Sequence, residues 1–348
     1  MELPGRRHIG GIGVVVILTL AVTASAFGGA SRQSTPARSS AEPVNVAFLI
    51  ATTSAGFTRG ILTAAKKAAA ANNVKLTVFD AQFNPQKQFS QCQDVVSGGK
   101  FHAIVTLPAA SPAMVPCAKL AKAAGMPLIT TNVAVGSDLS HYQPLVPGVT
   151  SQVLVPATVA WNAVRAPLLA ACKANGGGKN CRVGFIMGVK ALALTGPASK
   201  TIHTWTKGMT FVGEAEGFYQ RGGGLKVMQN LLQKDPDLNI LVSMSDDMAL
   251  GAQAAAKAAN KKFGTDILVI TQGGSFPGVA SLRAGTWFAT TVSNAETEGR
   301  VPIELAAKAV RGVKIPRFVD STKAGGTPQV INKGVLKGLP KFKGTFPA

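Results

Sequence analysis

Ser245-Asp246-Asp247 is the stretch of this sequence best placed to do chemistry. A hydroxyl and two adjacent carboxylates follow a short apolar run, Asn239–Met244, and open a helical pattern, Met248–Asn260. Such a pair can hold a metal ion, act as acid and base, or accept hydrogen bonds from free N–H groups at a helix start. The reading adopted is the last: one of the two carboxylates caps the Met248 helix. His203 could serve as a base, and its plainer reading is a polar residue at a cleft or surface. His102 precedes a strand and stands in no recognisable catalytic motif. Neither a Ser-His-Asp nor a Cys-His set can be assembled from plausible neighbours. Gly222-Gly223-Gly224 lacks the context of a phosphate loop and reads as a turn. With no CxxC and no clustered histidines, metal ligation is not expected. The chain carries no enzyme signature, and no cofactor or metal is expected.

The elements that must position these residues follow from periodicity. Gly224–Lys234 carries Leu225, Met228, Leu231 and Leu232 at helical spacing. Asp235-Pro236-Asp237 ends that helix, and the apolar run leads to the polar loop and the next helix. Helix, buried strand, polar loop and helix make half of a parallel α/β unit. Ligands in such sheets bind just past the carboxyl ends of the strands, where Ser245 and Asp246 stand. The same unit repeats upstream. Asn45–Ala51, Lys75–Phe79, His102–Leu107 and Leu128–Thr131 read as strands, separated by helical segments. Leu145–Thr150 reads as a crossing into a second lobe. There a long helix, Gln152–Lys173, precedes strands at Val183–Met187, Phe211–Tyr219, Asn239–Met244, Ile267–Thr271 and Phe288–Val292. Ser293–Ala295 reads as a second crossing and Asp320–Gly326 as a third, with a strand at Gln329–Ile331 and an irregular end. Trp161 and Trp287 read as packing.

Composition sets the bounds. The 348 residues suffice for two domains, and 46% hydrophobic against 15% charged content supplies large cores. The net charge is +20, but its cations are scattered in pairs such as Lys66-Lys67 and Lys261-Lys262. Nucleic-acid binders cluster charge on one face, so no nucleic-acid partner is expected. A basic, cell-surface or membrane-facing protein fits better. Residues 1–26 read as a signal peptide: a basic start (Arg6, Arg7, His8), an apolar core (Ile12–Val22) and Ala24-Ser25-Ala26 as a cleavage pattern. An uncleaved N-terminal anchor is the alternative. Residues 27–43 then form a flexible tether. Export permits disulfides, and the four cysteines allow three connectivities. Cys172 and Cys181 flank a Gly-rich turn, while Cys92 and Cys117 sit on consecutive helices. These are the expected pairs, with buried free thiols as the alternative.

Three segments resemble the sugar-binding family of type I periplasmic binding proteins, the ribose-binding group. They are GLKVMQNLLQKDPDLNILVSMSDDMALGA, the stretch opening VAFLIATTSAGF, and DILVITQGGSFPGVASLRAG. The lactose-repressor group shares the fold but carries an N-terminal helix-turn-helix, where this chain has a signal and tether. The resemblance implies two doubly wound, Rossmann-like parallel-sheet lobes joined by a three-strand hinge. The expected division is 44–150 plus 295–322 for the first lobe and 151–294 plus 323–340 for the second. The resemblance also implies an extracytoplasmic receptor, periplasmic or extracellular and cell-surface associated, that hands a solute to an ABC permease when its lobes close. A module presenting its closed form to a chemoreceptor or sensor kinase is the alternative. A monomer is expected, touching the membrane only through the permease or an uncleaved N-terminal segment.

The family pattern also implies the site. Where it reads Asn-Pro-Phe-Phe, this chain has Ala55-Gly56-Phe57-Thr58; where it reads Asp-Arg, Asn132-Val133. His203 and Trp205 stand in place of an arginine pair. Tyr219 keeps an aromatic, Ser245 replaces an asparagine beside the retained Asp246, and Gly273 replaces an aspartate next to Gln272. Ser293 replaces the hinge glutamine. The implied ligand residues are therefore Phe57, Thr58, Asn132, His203, Trp205, Tyr219, Ser245, Asp246, Gln272 and Ser293, with Phe276 a further candidate ring. Both expected arginines and both expected binding carboxylates are missing from their positions. A buried polar site that loses a bidentate group loses on the order of 10⁴-fold discrimination. The expected ligand is therefore not ribose but a modified sugar, a nucleoside-like molecule or a less polar ring.

Overall fold

A computed structural model describes residues 42–190, 192 and 194–348. The expected signal peptide, and all but the last two residues of the expected tether, lie outside the described residues. The chain starts with β1 (Val44–Ile50), α1 (Gly56–Ala71), β2 (Val74–Asp80), α2 (Pro85–Ser97), β3 (Ala103–Leu107), α3 (Val115–Ala123), β4 (Leu128–Thr131) and β5 (Val149–Leu154). It continues with α4 (Ala157–Asn162), α5 (Arg165–Ala174), β6 (Arg182–Met187), α6 (Thr195–Trp205), β7 (Thr210–Glu216), α7 (Arg221–Lys234), β8 (Ile240–Ser243), α8 (Asp246–Ala258), β9 (Leu268–Gly273), α9 (Phe276–Ala284) and β10 (Ala289–Val292). Last come α10 (Ala295–Val310), β11 (Phe318–Asp320), α11 (Ser321–Gly325), β12 (Val330–Ile331) and α12 (Lys333–Lys337).

The strands form two six-stranded sheets, β2-β1-β3-β4-β5-β11 and β7-β6-β8-β9-β10-β12. Every pairing is parallel except β12 against β10. Central strands such as β3, β4 and β8 are buried along their whole length, which is why they read as short continuous runs rather than alternating ones. Helices cover both faces of the first sheet. One core contains Phe48, Ile61, Val105 and Ile303, and the other contains Leu49, Ile104, Met114 and Leu128. The second lobe has a single continuous core around Phe185, Leu241, Met248 and Ile270.

Three passages join the lobes. β5 stays paired to β4 through Thr131 and Val153, so the chain leaves the first sheet after Leu154 rather than at Thr150. The expected helix from Gln152 is likewise divided. Residues 152–154 belong to β5, Pro156 disfavours helix for the residue before it, and α4 and α5 follow as separate pieces. The second passage lies at 293–294 and the third between β11 and β12.

Both expected disulfides are formed. Cys92–Cys117 staples α2 to α3 in the first lobe, and Cys172–Cys181 staples the end of α5 to the start of β6 in the second. The triple glycine at 222–224 is not a turn but the first turn of α7. A Cβ on Gly224 would come within 2.0 Å of the Met248 carbonyl oxygen, and one on Gly251 within 1.9 Å of that of Arg221. These glycines let the backbones of α7 and α8 touch, a packing requirement with no periodic signature in the sequence.

Candidate ligand site

The two sheets meet at a cleft along the carboxyl ends of their strands, as expected for a doubly wound fold. It holds a cavity of about 580 Å³, within the usual range for a small-molecule site. Eight of the ten expected residues line it: Phe57, Thr58 and Asn132 from the first lobe, and Tyr219, Ser245, Asp246, Gln272 and Ser293 from the second or from the passage beside it.

The other two lie elsewhere. His203 is exposed on α6, 3.5 Å from Glu214, with its ring against Phe211. Trp205 ends α6 and stacks on Trp161, with centroids 6.2 Å apart and planes within 14°. The α6 register turns both away from the cavity. Trp161, which reads as packing in the sequence, is buried in the second-lobe core and also forms part of the cavity wall. Phe276 does not line the cavity either; it is about half exposed at the start of α9.

The helix starts around the cleft explain several polar residues. Ser245, not an aspartate, caps α8: its Oγ accepts from the Met248 N–H at 3.2 Å. Both carboxylates are thereby released for other work. Asp247 reaches the opposite lobe and accepts from the Gly56 N–H at 3.0 Å, at the start of α1. A carboxylate suits that site because free N–H groups concentrate there. Arg221 stands 3.5 Å from the other Asp247 oxygen. Asp246 is buried and accepts from the Thr271 hydroxyl at 2.6 Å and the Ser275 N–H at 2.7 Å. Desolvation raises its pKa, against those hydrogen bonds. A Cβ at Gly273 would lie 2.5 Å from the Asp246 carboxyl carbon. An aspartate at 273, as the family pattern expects, would collide with a carboxylate already supplied from the neighbouring strand end.

A second buried carboxylate in the cavity wall comes from Glu298 on α10, which sequence reasoning missed. It accepts from the Asn132 amide at 2.9 Å and the Ser321 hydroxyl at 2.8 Å, and so knits the end of β4, α10 and α11. Burial pushes its pKa up to about 7. Its only sequence signal is an ordinary helical glutamate; the partners lie 166 and 23 residues away.

Three residues of the cavity wall, Phe83, Asn132 and Tyr219, have left-handed backbones, with φ of 57°, 63° and 56°. Side chains adopt this conformation at a cost, and it recurs where geometry is dictated by a site. Phe83 and Tyr219 come from opposite lobes and stack at 6.1 Å with planes 24° apart. Tyr219 lies against Gly188, where a Cβ would be 2.3 Å from its hydroxyl, and burial raises its pKa to about 12.

The end of the chain also enters the cleft. Arg283 holds the carbonyls of Leu336, Leu339, Pro340 and Phe342, fastening the tail to the second lobe. Thr345 donates to the carbonyls of Gly274 and Ser293. Phe346, only 3% exposed, then packs into the first-lobe core, edge-on to Phe57 at 5.3 Å. The irregular end expected from the sequence is thus irregular but seated, and it makes a fourth connection between the lobes.

Comparison with known proteins follows this geometry. The periplasmic binding protein domain family matches residues 46–314. The chain belongs to that family. Among curated members, the ribose import binding protein of Bacillus subtilis is 29% identical over 264 residues, covering 76% of this chain and 79% of the relative. An ABC transporter solute-binding protein of Mycobacterium smegmatis, solved with glycerol bound, superposes with a TM-score of 0.72 at 26% identity, covering 88% of this chain and 99% of the other. A galactofuranose-binding protein shares the fold, with a TM-score of 0.73 at 19% identity over 86% of this chain and 99% of that one. The family is one of binding proteins rather than enzymes, and the first two of these relatives are named as proteins of import systems. Among the described residues no group of side chains is suited to a metal ion, and no helix is long and apolar enough to cross a membrane.

Proposed function

We propose that this chain is the periplasmic solute-binding receptor of an ABC importer and that it takes a small hydroxylated ring in the cleft between its lobes. The observation that carries the reading is the cavity itself. Rings from both lobes (Phe57, Phe83, Tyr219 and Trp161) form apolar walls, and Asn132, Ser245 and Gln272 add neutral polar groups. Rings gather the apolar faces of a cyclic solute while polar side chains take its hydroxyls. The names of relatives, several of them ribose import proteins, support a sugar-like ligand and a permease as partner. Nothing in those names favours a signalling module.

In this reading the lobes close about the passages near 155–156, 293–294 and 326–329. The Phe83–Tyr219 stack and the Asp247 bond to Gly56 are contacts of the closed form. The ligand differs from ribose, because the arginines of the ribose-type pattern have no counterpart among the described residues of the cavity wall. A thermal-shift panel tests both parts, using D-ribose, D-galactose, myo-inositol, glycerol and a nucleoside. Stabilisation by a modified or less polar ring above the simple sugars is the expected result. Stabilisation by simple pentoses and hexoses alone would overturn the proposed ligand class while leaving the receptor reading in place.

A further inference from the structure

Phe346 belongs to both lobes at once. Its carbonyl oxygen accepts from the Phe276 N–H at 2.8 Å, at the start of α9 in the second lobe. Its ring is buried in the first-lobe core, edge-on to Phe57 of α1. The residues before it are held on the second lobe and on the passage beside it. The Arg283 guanidinium donates to four backbone carbonyls, the last of them Phe342 at 2.8 Å. The Thr345 N–H donates to the Gly274 carbonyl at 2.9 Å, and its hydroxyl to the Ser293 carbonyl at 2.6 Å. Gly344, with φ of 116°, lays the segment against α9, where a Cβ would come 2.7 Å from the Ser275 carbonyl carbon. Glycine alone takes that backbone and that approach at low cost.

The first lobe keeps a matching seat. A Cβ on Gly60 of α1 would lie 2.5 Å from the Phe346 Cβ, so a glycine there leaves the space the anchor needs. Further along, a Cβ on Gly56 would lie 2.9 Å from the Ala348 Cα, beside the Asp247 bond that also crosses the cleft. Phe346 lines the cavity as well, so this crossing runs along the wall of the site and not over a remote surface.

We propose that residues 343–348 form a strap that limits how far the lobes open, and that Phe346 must leave the first-lobe core before the cleft admits or releases a solute. The proposal rests on the reading of the cleft as a hinged solute site. Three passages alone let lobes swing by backbone rotation at a few residues. The strap has no such slack, because a single residue carries its contacts to both lobes. Separating the lobes therefore either exposes a phenylalanine ring or strips its backbone from α9. Burial of such a ring shifts an open-to-closed ratio by about tenfold to a hundredfold toward the closed form. The strap thus holds the empty receptor near its closed form and slows exchange of the solute.

Double electron–electron resonance on the full chain, without solute, tests this. Nitroxides are placed at Lys67→Cys on α1 and Lys257→Cys on α8, both exposed positions, while the four native cysteines stay paired. The parent should give one narrow distance. Phe346→Ala should give a longer and broader distribution, with the open population raised at least about tenfold. Because that variant also weakens the first-lobe core, the double variant Arg283→Gln with Thr345→Val loosens the other end and leaves the ring in its seat. It should move the distribution the same way by a smaller amount. A circular dichroism spectrum equal to the parent's shows that the movement is not unfolding. A distribution equally broad in the parent and in both variants would overturn the strap and leave the hinged receptor standing. One equally narrow in all three would mean that the lobes do not swing, and would overturn the strap together with the hinge that the receptor reading needs.

Discussion

The two lobes are built to one plan and hold their cleft-facing carboxylates in different ways. In each sheet the strands run second, first, third, fourth, fifth and last from one edge to the other. In the second lobe, Asp246 sits in the first turn of α8 and is tied to the end of β9 and the start of α9 in its own lobe, through Thr271 and Ser275. In the first lobe, Glu298 sits on a helix that arrives only after the second passage, and it ties that helix to β4 and to the segment leading into the third passage. The difference shows that equivalent sheets can furnish one cleft with carboxylates by a local route and by a long-range route. Only the long-range route binds the site to the hinge.

The largest expected effect breaks the independence of the lobes. Phe346 is carried on a segment fastened to the second lobe but is buried in the core of the first. Phe346→Ala should cost about 4 kcal/mol, read by urea unfolding. The first-lobe probe should move more than the second if the strap joins otherwise separate units. The disulfides come next. They close segments of 25 and 9 residues, so by chain entropy Cys92→Ser with Cys117→Ser should cost about 3.5 kcal/mol and Cys172→Ser with Cys181→Ser about 2.6 kcal/mol. The ordering of the two lobes is the test; a larger loss in the second lobe would contradict it.

The carboxylates sharpen the comparison through pH. Burial raises the Glu298 pKa from an ordinary value of 4.5 to about 7. The folded protein then keeps a proton that the unfolded chain releases. Its stabilising contribution is complete below about pH 4.5 and is lost as pH rises through about 7. Glu298→Gln should remove this slope, narrowing the parent's decline between pH 5 and pH 8 by about 2.5 kcal/mol. Asp246, also raised by burial, should leave a residual slope of the same sign. Chemical melts at the two pH values check both statements. The smallest effects are the helix caps, Asn84 in the first lobe and Ser245 in the second, each accepting from a helix N–H. Replacement by alanine should cost about 1 kcal/mol at either site. An added loss of ligand affinity is expected only at Ser245, which lines the cavity.

Much of the frame is legible in the sequence because buried parallel strands are short apolar runs and the helices between them carry periodic stripes. The stretch from Gly224 to Gly251 shows both. The disulfides are legible for a similar reason, since each pair lies close in sequence or on consecutive helices. The site is legible where a residue lies at or just past the carboxyl end of a strand, as with Asn132, Ser245 and Gln272. It is not legible where register or distance decides. One helical register turns His203 and Trp205 away from the cavity. Asp246 fills the space that a side chain at 273 would need, a contact that no local pattern around Gly273 reveals. Glu298 and Phe346 reach the cleft through partners far along the chain, and nothing local to either residue announces that.

The most direct test of the central claim, that a solute is held between the lobes, is hydrogen–deuterium exchange with and without the most stabilising polyol of the thermal-shift panel. Simultaneous protection of residues 51–58 and 132–140 in the first lobe and of 244–247 and 272–293 in and beside the second is the predicted result. Protection confined to one lobe, or to segments outside the cleft, would contradict it.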